Sequence, residues 1–433
     1  MRQGIRRQIA GHMLRALGIG TGLVVATLFL TYHFVISPKV NLVSMPVMSA
    51  ISLGQNKTCV DCHKKDSPGV VQQYHDSKHA GAGVLCLDCH KQVSGQEKMT
   101  TVHFKVAIVA APSPKNCARC HTAEVKESAA SNHAAKSWYS VEGAKDFTPA
   151  QLADNHLLDP EGKPINKGGA NPVYTLIGQD VGAASCKVCH AIGKKNLDGS
   201  FGDCSKCHLR HTFEVAQARK PETCGQCHLG PDHPQKEIYD ESAHGAYYQA
   251  NKEKFNMDAP SGTLTVKDFP APTCATCHMS AFGNVKGTHN VGDRLKWQLQ
   301  PEIAKVRVNA EKNRQTMTEV CLNCHTKTFI EENLTAAEKV IDVTNKNVEE
   351  GKAIIDDLRL AGLMEKKAFM YPLDFTYFEL WHHEGRRARY GAVMFGPDYV
   401  NWHGVYEQKK ALVEMKSKAA EMKADAAALK TKP

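Results

Sequence analysis

All sixteen cysteines of this chain fall in C-x-x-C pairs, and a histidine follows every pair at once. The pairs are Cys59/Cys62, Cys86/Cys89, Cys117/Cys120, Cys186/Cys189, Cys204/Cys207, Cys224/Cys227, Cys274/Cys277 and Cys321/Cys324. The histidines are His63, His90, His121, His190, His208, His228, His278 and His325. A disulfide framework or a set of zinc sites would not place a histidine after every pair. The pattern is the signature of c-type haem attachment. Two thiols at this spacing bond to the two vinyl groups of one haem, and the next residue supplies an imidazole to the iron. Eight motifs imply eight covalently bound haems. Aromatic residues make up only 7% of the chain, so the apolar porphyrins take the place of a conventional aromatic core.

The formal charge of +9 would ordinarily suggest nucleic acid or lipid as a partner. Each bis-histidine ferric haem brings roughly one net negative charge through its propionates, which offsets most of that excess. No nucleic-acid partner is expected.

The chain opens M-R-Q-G-I-R-R-Q and runs largely apolar from Leu14 to Ile36. That length approaches the roughly 20 residues that span a bilayer. The basic start is expected to stay in the cytoplasm. Met48 is a poor small residue for a cleavage pattern near Ser49-Ala50. The expectation is a retained signal-anchor in the inner membrane, with a cleaved signal peptide as the alternative. Everything beyond is expected on the periplasmic side, where c-type haem is attached.

The chain then divides by motif density. Residues 1–50 form the leader, 51–185 a three-haem part with connecting loops, 186–330 a five-haem part, and 331–433 a helical C-terminal region. The stretch D-P-E-G-K-P-I-N-K-G-G-A-N-P between the clusters reads as loop. Motif spacing is irregular, which excludes a fixed-period solenoid. Apolar residues at three- and four-residue steps predict a long helix over 331–367, weakened at Gly351. Two more are predicted over about 375–395 and 405–429. The fold class is mostly α, with a haem-packed core, few strands and long C-terminal helices. Those helices suit either an oligomer face or closure of their own subunit.

A six-coordinate electron-transfer haem takes a second axial ligand, whereas a substrate-binding haem leaves that position open. Beyond the motifs and the leader's His12 and His33, twelve histidines remain. Seven are the expected distal ligands: His79, His103, His133, His211, His244, His289 and His403. His75, one helical turn before His79, is an alternative to it, and His382 or His383 to His403. Eight distal ligands could also be drawn from this set, which would make a pure electron conduit.

Several segments carry a resemblance. The motifs split three plus five, followed by C-S-K-C-H-L-R-H-T-F, C-G-Q-C-H-L-G-P-D-H-P-Q-K-E-I-Y, E-S-A-H-G, W-H-H-E-G-R-R-A-R-Y-G-A and D-Y-V-N-W-H-G. Over roughly residues 55–410 the chain resembles the octahaem hydroxylamine oxidoreductases. The last five motifs also resemble the pentahaem ammonia-forming nitrite reductases, whose catalytic motif ends in lysine; here all eight end in histidine.

The resemblance implies a catalytic fourth haem on Cys186, Cys189 and His190, open on its second face. It implies an Asp–His pair over that face, which maps to Asp232 and His233. An imidazole titrates near neutral pH and suits the proton transfers that accompany N–O chemistry. Ligation of a neighbouring haem by His233 is the competing reading. The resemblance further implies a homotrimer in which a neighbour's tyrosine is crosslinked to the catalytic porphyrin; Tyr399 is the first candidate and Tyr390 the second. The expected substrate is hydroxylamine or a small nitrogen oxide, oxidised or reduced, with a membrane or soluble cytochrome as electron partner.

Overall fold

The computed structural model describes residues 50–430. The chain divides into two units, Met1–Leu53 and Gly54–Pro433, and the second holds every C-x-x-C-H motif. That unit is helical with few strands, as expected.

Several motifs form a single helical turn: Cys86–His90, Cys186–His190 and Cys274–His278 are each a five-residue helix. The reason is geometric. Residues three and four apart lie on one face of a helix, so one turn gathers both thiols and the imidazole on the same side. The first motif differs in setting, because it lies inside a longer helix, Ala50–Asp66. Loops rich in glycine and proline connect the motifs.

Among the described residues there are two small sheets, each a pair of antiparallel strands. Thr100–His103 pairs with Val106–Val109, with His103 opposite Val106 at the tip. Phe104 and Lys105 between them have φ of 47° and 67°, the two successive left-handed residues that a tight hairpin turn requires. This hairpin delivers His103 towards the first motif. Trp297–Gln298 pairs with Lys305–Val306 in the second sheet.

The C-terminal region packs as helices. The longest runs Lys327–Leu360, capped by the Thr326 side chain. Its buried residues Ile330, Ala337, Ile341, Val348, Ile355 and Leu358 recur at the expected helical steps. It starts earlier and stops sooner than 331–367. At the end, Gly362 takes a left-handed φ of 72° and Leu363 N–H bonds back to the Leu358 carbonyl, which closes the helix. Gly351 does not weaken it. A side chain there would press on Tyr377 and Leu380, so the glycine lets the next helix approach closely.

That neighbour runs Pro372–Glu379, widens into a π-helical turn over Leu380–Glu384, and continues as Gly385–Met394. A second π turn, Asn401–Val405, leads into the helix Tyr406–Lys430. π turns carry one extra residue per turn and re-aim side chains, often at functional sites. Both turns here hold histidines. Val348, Ile355, Leu358, Leu373, Leu380, Leu412 and Met415 form the core between these helices. Full burial of Leu358 or Leu380 stabilises by about 2–3 kcal/mol each.

Beneath the sixth and seventh motifs lies an aromatic cluster of Tyr239, Tyr248, Phe255, Phe269 and Phe282. Beside it Arg294 is 1% exposed and donates to the carbonyls of Thr276, Cys277, Met279, Ser280 and Lys286. One guanidinium thus ties down the whole loop around the seventh motif.

The expected membrane anchor is corrected. No helix among the described residues is long and apolar enough to cross a membrane. The apolar stretch on which the expectation rested, residues 14–36, lies outside the described residues.

Candidate haem sites and active site

Six motif histidines stand opposite another imidazole. The ring centroids are 6.0 Å apart for His63 and His103, 6.1 Å for His121 and His79, and 6.4 Å for His90 and His211. They are 6.4 Å apart for His208 and His289, 5.8 Å for His228 and His133, and 6.0 Å for His325 and His244. Two imidazoles binding one metal at about 2 Å per bond put their ring centres roughly 6 Å apart. The donor set therefore fits an axially ligated haem at each pair. The surroundings fit as well. Val188 and Leu322 inside motifs, and Leu209 and Leu229 just after them, are exposed apolar side chains at positions a porphyrin would cover.

Most of the motif cysteines are at least half-enclosed. Cys62, expected to bond a haem vinyl group together with Cys59, lies in the longer first helix. Its side chain is exposed, and its Sγ donates at 3.8 Å to Asp66 Oδ2, one turn further along the helix Ala50–Asp66. The physical reason is the helical setting, which brings a carboxylate at the i+4 position within reach of the thiol. A thiol is a weak donor, so this contact gives Cys62 an alternative partner without barring it from attachment. Cys59, three residues earlier, is more enclosed and acts on Cys86 of the second motif. Cys120 and Cys324 are exposed as well.

Ligation by a motif histidine depends on which imidazole nitrogen is free, and hydrogen bonds indicate that. His90 Nδ1 donates to the Val109 carbonyl at 2.9 Å, and His228 Nδ1 to Gln235 Oε1 at 3.2 Å. His190 Nδ1 donates to the Ser137 carbonyl at 2.8 Å, with Ser140 Oγ at 3.0 Å. Each leaves Nε2 for the metal, the usual arrangement for a ligating histidine.

The fourth motif is braced along one short helix, Ala135–Glu142. Its Ser137 and Ser140 hold His190, and its Glu142 pairs with Lys187 inside the motif. Tyr174 OH donates to the same carboxylate at 3.3 Å. The lysine ammonium and Lys145 hold the Glu142 carboxyl below the usual carboxylate range against the opposing effect of burial. At the other end, the backbone of Gly193 passes the Ala134 carbonyl with no room for a side chain. The motif and the helix are thus locked together.

His190 has no imidazole among its ring contacts in the described residues. Burial pushes its pKa down, and the charged groups that act on it are His233, Asp232 and Arg386. These belong to one cluster. Asp232 Oδ1 lies 3.5 Å from His233 Nε2; Oδ2 lies 3.4 Å from Arg386 Nη1 and 3.9 Å from His382 Nε2. His233 Nδ1 and His382 Nδ1 are both buried without a protein partner. Tyr390, fully within this group, feels Arg386 and Asp232, and burial raises its pKa.

His278 also lacks an imidazole ring contact among the described residues, but its company differs. Burial pushes it down to about 4, with Arg294 and His228 adding to the effect. No acid–base cluster acts on it.

Two of the expected residues keep other company. His403 lies 3.1 Å from Asp398 and stacks loosely on Tyr399, at 5.0 Å, with half its side chain exposed. Tyr399 packs against the cluster of Ile238, Leu299, Ile341 and Tyr390. Neither joins the Asp232 group in this chain. His233, for its part, lies 6.0 Å from His228 as well as beside Asp232.

Two buried titratable groups on the first π turn carry a pH prediction. Burial pushes His382 down to about 2, with Arg386, His383 and His233 adding to it, and burial pushes Glu384 up to about 7. Below pH ~6.5 an unfolded His382 takes a proton that the folded one refuses, so its contribution is lost as pH falls. Above pH ~4.3 an unfolded Glu384 releases a proton that the folded one keeps, so its contribution is lost as pH rises towards 7. The two oppose each other in the shared window. Relative to the parent, Glu384→Gln should lose stability as pH falls from about 6.5 to 4.5, and His382→Phe should gain it. Each slope is at most ~1.4 kcal/mol per pH unit. Chemical denaturation across that range reads both, and parallel curves for parent and variants would refute the assignment.

A family model described as "Seven times multi-haem cytochrome CxxCH" matches residues 82–370. The chain belongs to this multihaem cytochrome family. Its haems are therefore covalently bound and of c type. The matched residues hold the second to eighth motifs; the first, with Cys59, Cys62 and His63, precedes them. A curated relative, a probable nitrite reductase-hydroxylamine oxidoreductase fusion protein of Kuenenia stuttgartiensis, is 26% identical over 339 residues. The match covers 69% of this chain but 37% of that longer protein. Among solved structures, a hypothetical multihaem protein superposes with a TM-score of 0.73 at 24% identity, covering 89% of this chain and 98% of the other. A reducing hydroxylamine-oxidoreductase-like protein complex of K. stuttgartiensis gives a TM-score of 0.65 at 20% identity, covering 88% of each chain. These likenesses show a shared fold. The resemblance to the hydroxylamine oxidoreductases agrees with all of them.

In this multihaem cytochrome the cysteines of neighbouring motifs lie within electrostatic reach of one another, and Cys117 with Cys204, Cys224 with Cys274, and Cys189 with Cys227 are in contact. Cys59 acts on Cys86, Cys120 on Cys89, and Cys204 on Cys117, which links motifs one, two, three and five. Cys224 and Cys227 act on Cys207, Cys224 on Cys274, and Cys321 and Cys324 on Cys277, which extends the line through motifs six, seven and eight. Motif four joins from the side, where Cys189 meets Cys227 of motif six.

The sequence reading assigned no role to Arg386, nor to the serines that hold His190. Arg386 did leave a trace. In W-H-H-E-G-R-R-A-R-Y, residues 382, 386 and 390 recur at four-residue steps, one polar stripe along the helical run. Ser137 and Ser140 left none, because their partner lies some fifty positions further along the chain.

Proposed function

We propose that this cytochrome is an octahaem oxidoreductase of the hydroxylamine oxidoreductase type, with the haem on Cys186, Cys189 and His190 as its substrate site. One observation carries the reading. Six motif histidines face another imidazole at the separation an iron would set, whereas His190 has no imidazole ring contact among the described residues and feels the charges of Asp232, His233 and Arg386. The count of eight includes a haem on Cys59, Cys62 and His63, which the 6.0 Å separation of His63 and His103 supports.

When bound, a c-type haem on the fourth motif supplies an iron that exchanges electrons with a small nitrogen ligand on its second face. The chain supplies the rest. Ser137 and Ser140 orient His190 through Nδ1. Asp232 lies on the Nε2 side of His233, which favours a proton there and leaves Nδ1 as the nitrogen that takes or gives a proton. Pro231 and Pro234 restrict the backbone on either side of this pair. Hydroxylamine oxidation would use His233 Nδ1 as base, and nitrite or hydroxylamine reduction would use it as acid. The reductive direction draws support from the two K. stuttgartiensis relatives, one named a nitrite reductase fusion and the other reducing.

The remaining motifs conduct electrons to a cytochrome partner. His403 is the seventh distal ligand in this assignment. Tyr399 is the tyrosine that reaches a neighbouring copy's porphyrin in a homotrimer. A second reading, a conductor with no substrate site, has one specific observation in its favour: His233 is as far from His228 as the paired imidazoles are from each other.

Electron paramagnetic resonance of the oxidised protein separates the two. The enzyme reading expects seven low-spin haems and one high-spin, ligand-accessible haem. Eight low-spin haems would leave only the conductor. Two high-spin haems would keep the enzyme and remove His403 from the ligand set.

A further inference from the structure

Arg386 lies one helical turn after His382 and one before Tyr390, with 13% of its side chain exposed. Nε donates to the Gln300 carbonyl at 2.9 Å, Nη1 approaches Asp232 Oδ2 at 3.4 Å, and the Trp381 ring lies 5.4 Å from the guanidinium. These contacts fix the orientation of the planar group. Among the described residues they leave Nη2 without an acceptor, and Nη2 is not one of the enclosed polar atoms of the cluster.

Asp232 does not fully neutralise this cation. Its two oxygens are shared among His233 at 3.5 Å, Arg386 at 3.4 Å and His382 at 3.9 Å, and none of these contacts is tight. A nearly buried guanidinium with one loose carboxylate contact favours a further anion. Its field reaches His190. An oxyanion entering beside this Asp232 cluster would meet a preoriented N–H donor; a neutral molecule of the same size would gain far less.

We propose that Arg386 is the specificity-determining residue of the His190 site, donating Nη2–H to an oxygen of an anionic nitrogen ligand such as nitrite and discriminating against neutral ones. This rests on the reading that His190 carries the open-faced haem. Trp381 and Gln300 act as positioning residues by holding the guanidinium plane.

The test uses the haem-loaded full chain and two ligands followed by optical titration: nitrite with the oxidised protein, carbon monoxide with the reduced protein. Arg386→Gln should weaken nitrite binding roughly 10- to 100-fold, the effect of losing one charged hydrogen bond. Carbon monoxide affinity should be unchanged. Arg386→Lys keeps the charge without the fork and should recover part of the nitrite affinity. Unchanged low-spin signals in both variants show that the fold is intact. The inference is overturned if Arg386→Gln leaves nitrite binding unaltered, if both ligands weaken alike, or if the parent binds carbon monoxide but not nitrite. If the parent binds neither ligand, the open face at His190 is refuted and the inference goes with it.

Discussion

Replacing His233 with alanine should lower turnover of the nitrogen substrate by roughly two or more orders of magnitude, the scale of a lost general acid or base. The haem count and the low-spin signals should not change. Asp232 would keep Arg386 and His382 as neighbours, so the pocket need not collapse. Spectra and steady-state rates together decide the matter. His228 has two imidazoles at similar separation, His133 at 5.8 Å and His233 at 6.0 Å. If the alanine variant turns one low-spin haem high-spin, His233 was the ligand of the sixth haem, and proton transfer must be assigned elsewhere. The companion variant His133→Ala should give the opposite pattern, one new high-spin haem with the acid–base pair intact.

Arg294→Met should cost stability on the order of 3–5 kcal/mol. The side chain is 1% exposed and accepts no substitute from solvent. Methionine would fill much of the volume but leave five carbonyls of the 276–286 loop without their donor. Each buried unsatisfied acceptor costs about 1–3 kcal/mol, and partial rearrangement limits the total. Loss of this clamp loosens the segment that presents Cys274, Cys277 and His278. Mass analysis should find chains one haem short, and the thermal midpoint should fall. A fully loaded variant melting with the parent would show that the clamp is redundant.

How far the sequence foretold this arrangement varies by element. The C-x-x-C-H turns were legible because attachment chemistry dictates their spacing. That spacing says nothing of exposure, and Cys62, open to solvent beside Asp66, could not have been told from its enclosed counterparts. The long C-terminal helix was legible from its apolar period, although its end was overrun: Gly362, a left-handed stop residue just past the helix, was there to be read and was passed over. Gly351 was misread because an isolated helix is weakened by glycine, whereas this one uses it to approach Tyr377 and Leu380. The π turns over Leu380–Glu384 and Asn401–Val405 have no sequence signal of comparable strength. They re-aim the very histidines whose roles the sequence left open.

The candidate site shows the same division. Asp232 and His233 were found through a motif, as adjacent residues in one short loop. Arg386, His382 and Ser137 come from other helices, and only tertiary packing brings them to the fourth motif. A distal imidazole such as His289 faces a motif some eighty residues earlier. Sequence spacing holds no information about such a pairing, which only tertiary packing brings about.

The meeting of Cys189 and Cys227 carries a consequence for robustness. If the proposed fourth haem exchanges electrons through the sixth, loss of the sixth motif would slow its turnover more than loss of the first or the eighth.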